Sequence, residues 1–345
     1  MGRRSDQVIE TVFTRGKQWG CALVVTVVVG HAAVTDAAIA PRDCPKADCG
    51  QVVKEPTMSS MNSDPRWQNA ETIVLWDASV PRPILTRVNR ASDMPATKLT
   101  GIAEPFLKHF KPAKPNGRAL LVMPGGGYRL VSTQNEGVEL AERINAEGFD
   151  VFVLVYRLPS EVEPVNPMAP WEDAVLALRT IRQHSAQWRI DPKTVSVMGF
   201  SAGGHLAAWM SSPSAEKNAL ADNERPWTQA LIYPVVRLNG AWAHRGSKEA
   251  LLADLPADQV DPFNTDLQVD SKTPPTFLMH ALDDKAVPIQ NSFEYAKALS
   301  AHDRPLKLVV LNHGGHGFGV HAPESEGDWI AQWSRWVQEQ AKLPH

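Results

Sequence analysis

Cysteine is scarce in this chain of 345 residues, with only Cys21, Cys44 and Cys49. Three thiols cannot staple a chain of this length, so a disulfide scaffold is excluded. An excess of charge is also missing: 35 basic side chains face 38 acidic ones, for a formal net charge of −3. That balance gives no general attraction for a phosphate backbone, and no nucleic-acid partner is expected. The 22 glycines and 27 prolines are too few for a collagen or a linker protein. What is present is an ordinary hydrophobic share of 43% and enough chain to bury roughly three quarters of its unfolded surface. These features describe a soluble α/β or mixed globular enzyme.

The N-terminus reads as an address rather than as part of the fold. Arg3, Arg4, Arg15 and Lys17 precede an apolar run from Cys21 to Val29, and small residues follow at 37–40. The run is too short to cross a bilayer comfortably, and the whole pattern is that of a secretory signal peptide over residues 1–40. A secreted or periplasmic protein is therefore expected, touching a membrane only through this signal if it stays uncleaved. Residues 41–65, rich in Pro, Ser, Asp and Lys without periodicity, read as a flexible linker. Within it Cys44 and Cys49 form either a small local disulfide or a pair of free thiols.

Residues 66–341 read as a single α/β domain. Short strand-like pieces (73–76, 106–110) come first, separated by prolines as in antiparallel edge strands. The texture then changes to continuous apolar runs at 119–123, 151–155 and 195–198, which suit strands covered on both faces. Between them lie helical stripes: Val138, Ala141 and Ile144, closed by Gly148, and then Trp171, Val175, Leu178 and Ile181. The alternation continues with a helix over 202–210, strands over 230–236 and 276–280, a helix over 289–300, a strand over 306–311 and a final helix striped by Trp329, Trp333, Trp336 and Val337. This order specifies a mostly parallel sheet with helices on both faces. The stretch 237–273 is a long interruption, suited to a short cap over a site.

Chemistry gathers at the ends of these strands. Gly199-Phe200-Ser201-Ala202-Gly203 follows an apolar strand and opens a helix, the context in which G-x-S-x-G forms a nucleophile elbow. Pro124-Gly125-Gly126-Gly127-Tyr128 ends another buried strand and can present N–H groups into a concavity. It lacks the Gly-Lys-Ser/Thr ending of a phosphate loop. In an ester hydrolase such a loop supplies the oxyanion hole. Gly126 and Gly127 are the leading donors here, with the assignment among the three glycines open, and the N–H of Ala202 joins them. Asp283 and Asp284 follow the strand at 276–280, where an acid can orient an imidazole. His313 and His316 lie in a glycine-rich loop after the last strand. His205, just past the elbow, reads as packed under its helix. No third ligand joins His313 and His316 at metal spacing, so no metal and no other cofactor is expected. Among eleven tryptophans, Trp242 in the interruption is the one nominated for a substrate cleft, with Tyr128 as a second candidate contact. Serine, acid and histidine in this chain order match the α/β-hydrolase fold.

From about Trp67 to Val337 the chain resembles the secreted bacterial α/β-hydrolases related to acetyl xylan esterases and feruloyl-esterase-like proteins. The matching residues are Pro124-Gly-Gly-Gly-Tyr128, Tyr156-Arg157-Leu158-Pro159, Asp191-Pro192, Gly199-Phe-Ser-Ala-Gly-Gly-His205, Tyr233-Pro234, Asp284-x-x-Val-Pro288 and His313-Gly-Gly-His-Gly-Phe318. The resemblance implies Ser201 as nucleophile and selects Asp284 over Asp283 as the acid and His316 as the base. It also implies hydrolysis of short acyl esters, commonly acetyl groups on plant polysaccharide or oligosaccharide, so a small-molecule or oligosaccharide ester is the expected partner. Pro124 stands where His-Gly-Gly-Gly hydrolases carry histidine, which weakens any transfer of their substrate range. A peptidase of the prolyl-oligopeptidase type shares the triad but usually carries a propeller, for which the roughly one hundred residues before the glycine loop leave no room. A silent binding protein on this fold would have lost one of the three side chains.

Overall fold

The computed structural model describes residues 62–342 except 77–78, 81–82, 84, 86–93, 162–164, 214–218 and 254. The expected signal peptide, Cys44, Cys49 and all but the end of the expected linker lie outside the described residues. That linker gives way before residue 65. Asn62 is already fully buried, its amide donating to Thr133 Oγ1 at 2.9 Å. Asp64 then caps helix α1 (Pro65–Asn69) by accepting the Arg66 N–H, with Pro65 at the first position, where its missing N–H costs nothing.

In chain order there follow β1 (Glu71–Val74), β2 (Lys98–Leu99), β3 (Phe106–Phe110), β4 (Ala119–Met123), β5 (Val131–Ser132), a single π-turn (Gln134–Val138), α2 (Glu139–Ala146) and β6 (Asp150–Val155). Next come α3 (Ala169–Gln183), α4 (Ser185–Trp188), β7 (Val195–Phe200), α5 (Ala202–Met210) and β8 (Gln229–Ile232). The chain closes with α6 (Arg245–Leu252), β9 (Thr276–Ala281), α7 (Gln290–Ala301), β10 (Leu306–Leu311) and α8 (Trp329–Gln340).

Eight strands form one sheet in the order β1-β3-β6-β4-β7-β8-β9-β10. At one edge β3 pairs antiparallel with both β1 and β6, and the remaining pairings of this sheet are parallel. This is the α/β-hydrolase architecture. All residues of β4, β6 and β7 are buried, as continuous apolar runs require when helices cover both faces. The covering can be read from two neighbours on β7. The Phe200 ring meets Trp329 of α8, whereas a Cβ built on Gly199 would strike Gly203 and Gly204 of α5. Successive residues of a strand point to opposite faces, so α8 and α5 lie on opposite sides of the sheet.

The strand expected at 73–76 is β1 at Glu71–Val74. Strand β8 ends at Ile232 rather than Val236, because Tyr233 turns to φ 36° and Pro234, with no N–H, cannot continue a ladder. The interruption at 237–273 contains α6 and three short 3₁₀ turns. It is joined to its surroundings by the Arg129–Glu249 ion pair and by the Asn291 amide, which donates to the Trp242 carbonyl at 2.9 Å.

Candidate active site

The elbow between β7 and α5 leaves no room for side chains around Ser201. A Cβ on Gly199 would lie 2.1 Å from the Gly203 oxygen, and one on Gly203 would lie 2.0 Å from the Met123 oxygen. Ser201 itself is held at φ 53° and ψ −119°, a strained conformation for an L-residue that persists only where its surroundings enforce it. Here strand and helix do so: the Ser201 N–H donates to the Ile232 carbonyl at 3.1 Å, and its carbonyl accepts from His205 and Val235.

Ser201 Oγ lies 2.9 Å from His316 Nε2, and His316 Nδ1 lies 2.7 Å from Asp284 Oδ2. Nδ1 must donate to the carboxylate, which leaves Nε2 to accept the serine proton, the tautomer a general base needs. Asp284 is buried. Its Oδ1 accepts the N–H groups of Ala286 and Val287, both at 2.9 Å, and its Oδ2 also accepts from His280 Nε2 at 3.1 Å. Burial alone would raise the pKa of this carboxyl. The hydrogen bonds from His280 and His316, the charge on His316 and the Val287 N–H outweigh that and hold it well below the usual carboxylate range.

The two neighbouring candidates do other work. Asp283 accepts the Gly315 N–H at 2.8 Å, and His313 is exposed with its Nδ1 3.7 Å from Asp283. The structure thus brings together Ser201, Asp284 and His316 and leaves Asp283 and His313 beside them.

The glycine loop also sorts itself. Gly125 donates its N–H to Glu136 Oε2 at 2.7 Å, so it has none to offer a ligand. Among the described residues, the N–H groups of Gly126 and Gly127 have no acceptor. Ala202, first residue of α5, has no acceptor within its helix either. The loop is pinned from outside by Tyr156, whose hydroxyl donates to the Pro124 carbonyl at 2.8 Å, and by the Ser132 N–H, which donates to the Gly125 carbonyl.

Tyr128 is a correction. Although it follows the glycines, its side chain is fully buried and its hydroxyl donates to His205 Nδ1 at 2.7 Å. At φ 59° the backbone turns that ring into the core, where it cannot line a cleft. His205 is equally buried, donating from Nε2 to the Phe263 carbonyl at 2.7 Å. Trp242 is exposed in the insertion.

Sequence reasoning missed two groups. His280 is a polar residue in an otherwise apolar strand, four positions before Asp284, and that interruption was a usable signal. Glu136 carries no comparable mark, since its partners are distant in the chain.

The sequence profile of the prolyl oligopeptidase family matches residues 167–344, just over half of the chain and a segment that holds Ser201, Asp284 and His316. The chain belongs to the prolyl oligopeptidase family. This member is 32% identical over 237 residues to an acetylxylan esterase of Xylanibacter ruminicola, an alignment covering 67% of the chain and 46% of that protein. It is 33% identical over 216 residues to endo-1,4-beta-xylanase B of Butyrivibrio fibrisolvens, covering 61% of the chain and 34% of that protein. The chain therefore spans less than half the length of these two relatives. Among solved structures it resembles an acetyl ester-xyloside bifunctional hydrolase from Caldicellulosiruptor lactoaceticus, with a TM-score of 0.65 and 33% identity over 80% of this chain and 98% of that one.

Proposed function

We propose that this member of the prolyl oligopeptidase family is a serine carboxylic-ester hydrolase that removes short acyl groups, acetyl above all, from carbohydrates. The observation that carries the reading is the unbroken run Ser201 Oγ–His316 Nε2 at 2.9 Å and His316 Nδ1–Asp284 Oδ2 at 2.7 Å, beside N–H groups with no acceptor of their own. The acetyl and carbohydrate parts rest on the three similar proteins, two of which are named for acetyl esters and all three for xylan or xyloside.

In this mechanism Ser201 Oγ forms a bond to the ester carbonyl carbon while His316 Nε2 takes its proton. The carbonyl oxygen becomes an oxyanion facing the N–H groups of Gly126, Gly127 and Ala202. His316 then passes its proton to the departing alcohol as the C–O bond breaks, leaving an acyl-serine. Water, deprotonated by His316, adds to the acyl carbon, and Ser201 leaves with the proton as the acid is released. Asp284 holds the imidazole in the required tautomer throughout.

The test is acetate release from acetylated xylan and hydrolysis of p-nitrophenyl acetate by the wild type and by Ser201→Ala. Wild-type turnover on both, abolished by the substitution, is expected; full activity in Ser201→Ala refutes the reading. Membership of the prolyl oligopeptidase family favours one second reading, a peptidase, which hydrolysis of peptide anilides in preference to acetyl esters would reveal. Export through residues 1–40 is part of the proposal, and N-terminal sequencing of protein recovered outside the cytoplasm tests it.

A further inference from the structure

We infer that Glu136 is a positioning residue that ties the glycine loop to the histidine loop and so sets the oxyanion donors relative to Ser201. The inference rests on the hydrolase reading above and goes beyond it, because the hydrogen bonds of Glu136 run to Gly125 and Tyr233 and not to Ser201, His316 or Asp284.

Glu136 sits in the π-turn Gln134–Val138, a rare widened turn of a kind often found at functional sites. Its carboxyl is buried, and both oxygens are used. Oε2 accepts the Gly125 N–H at 2.7 Å, and Oε1 accepts the Tyr233 hydroxyl at 2.8 Å. Having given its hydrogen to Glu136, the Tyr233 oxygen accepts the Gly319 N–H at 2.9 Å. One continuous run therefore leads from the glycine loop, through Glu136 and the residue that ends β8, to the loop that carries His316. The neighbouring Asn135 reinforces it by donating from Nδ2 to the Gly317 carbonyl at 2.8 Å.

The polarity of this run requires an acid. Gly125 N–H and Tyr233 O–H are both donors, so the side chain between them must accept at both ends, which an ionised carboxyl does and an amide does not. No Lys or Arg among the described residues pairs with it. Leaving a buried carboxyl without a cation is costly, and burial pushes its pKa up against the pull of Gly125, Tyr233 and His316. A side chain kept for stability alone would be better served by an apolar group.

The consequence falls on the oxyanion hole. A Cβ on Gly125 would lie 3.0 Å from both Glu136 Oε2 and Ser201 Cβ, so the bonded peptide is wedged between the carboxyl and the nucleophile. With the Gly125 N–H committed to Glu136, the next two, at Gly126 and Gly127, are the ones left open. Removing the carboxyl frees the Gly125 peptide to rotate and displaces the donors that follow it.

The experiment uses the full chain with Glu136→Gln, Glu136→Leu and Tyr233→Phe. It measures kcat and KM on p-nitrophenyl acetate, together with inhibition by a simple alkylboronic acid, which forms a tetrahedral adduct on the serine. Glu136→Leu should lose on the order of 10²-fold in kcat, the scale of one oxyanion donor. Its KM should stay within a few-fold and its boronate affinity should fall in parallel with kcat. Glu136→Gln, which keeps one acceptor, should recover part of the loss, and Tyr233→Phe should fall between them. If the leucine variant does not fold, the glutamine and phenylalanine variants decide. Values of kcat within twofold of wild type in those two, or a fall in kcat with boronate affinity unchanged, overturn the inference while the hydrolase reading stands. A wild type inert on the ester and unlabelled at Ser201 by a fluorophosphonate overturns both.

Discussion

Asp284 accepts four hydrogen bonds, and that number makes Asp284→Asn an informative substitution. The carboxylate takes His316 Nδ1–H and His280 Nε2–H on one oxygen and the N–H groups of Ala286 and Val287 on the other. A carboxamide has the same shape, but one of its ends is an NH₂ donor. In one orientation that donor confronts two backbone N–H groups; in the other it confronts two imidazoles. Either way two bonds to a charged group are lost, at about 1.5–3 kcal/mol each, so a destabilisation of about 3–6 kcal/mol is expected before relaxation. His316 can relax by moving its proton to Nε2, but the ring then faces Ser201 with a donor and cannot accept the serine proton. The expected loss in kcat at neutral pH is on the order of 10⁴, read from initial rates on p-nitrophenyl acetate. Asp283→Asn is the comparison, because an asparagine keeps an acceptor for the Gly315 N–H, and its kcat should stay within a few-fold of wild type. Asp284→Asn retaining more than a tenth of wild-type kcat, or Asp283→Asn proving the more damaging, would refute this reasoning.

Further outcomes follow from the same structure. The depressed pKa of Asp284 contributes stability that is present above the ordinary value of 3.8 and lost as pH falls toward the folded value. Urea denaturation of Asp284→Asn should therefore show a flatter decline below about pH 4 than wild type. His205, pushed down to about 4 by burial, refuses in the native state a proton that the unfolded chain binds near 6.5. Its contribution, about 3 kcal/mol at roughly 1.4 kcal/mol per pH unit, is present above pH 6.5 and disappears between 6.5 and 4, and His205→Gln should remove that slope. Arg157 grips both oxygens of the buried Asp173 at 2.7–3.0 Å and lies 4.4 Å from the Trp76 ring. Arg157→Lys cannot reproduce that fork and should cost about 3 kcal/mol in urea titrations. Trp242→Ala should raise KM for an acetylated xylo-oligosaccharide more than for p-nitrophenyl acetate, and equal effects would remove Trp242 from the cleft.

Legibility in the sequence followed the range of the constraint. The elbow announces itself because its requirements are local: Gly199 and Gly203 are needed where a Cβ would lie about 2 Å from backbone oxygen, so the residues beside Ser201 record the geometry. The buried strands are legible because covering on both faces demands an unbroken apolar run. The bonds between loops leave no such record. Glu136 and Tyr233 are 97 positions apart, and nothing near either residue reveals the other. Choosing between Asp283 and Asp284 from residues alone was impossible because adjacent residues in a turn differ only in direction. Tyr128 was misplaced for the same reason: adjacency to the glycines locates a residue along the chain, but only its φ of 59° shows that the ring enters the core.

These long-range bonds also explain how His316 stays in place on so permissive a segment. Gly314, Gly315, Gly317 and Gly319 all adopt positive φ, a backbone that would wander if left to itself. Among its restraints are three anchors, each from a different element. Asp283 takes the Gly315 N–H, Asn135 donates to the Gly317 carbonyl, and Tyr233 takes the Gly319 N–H. The anchors bracket His316 on both sides, so the imidazole is aimed at Ser201 before any substrate arrives and no reorganisation is left for the moment of reaction. On the proposed mechanism, the placement of His316 is therefore a property of loop-to-loop polar bonds, while the apolar strands beneath supply the platform. On that argument, substitutions that preserve volume inside β4 or β7 should alter stability and leave kcat nearly untouched, whereas removal of any one anchor should lower kcat.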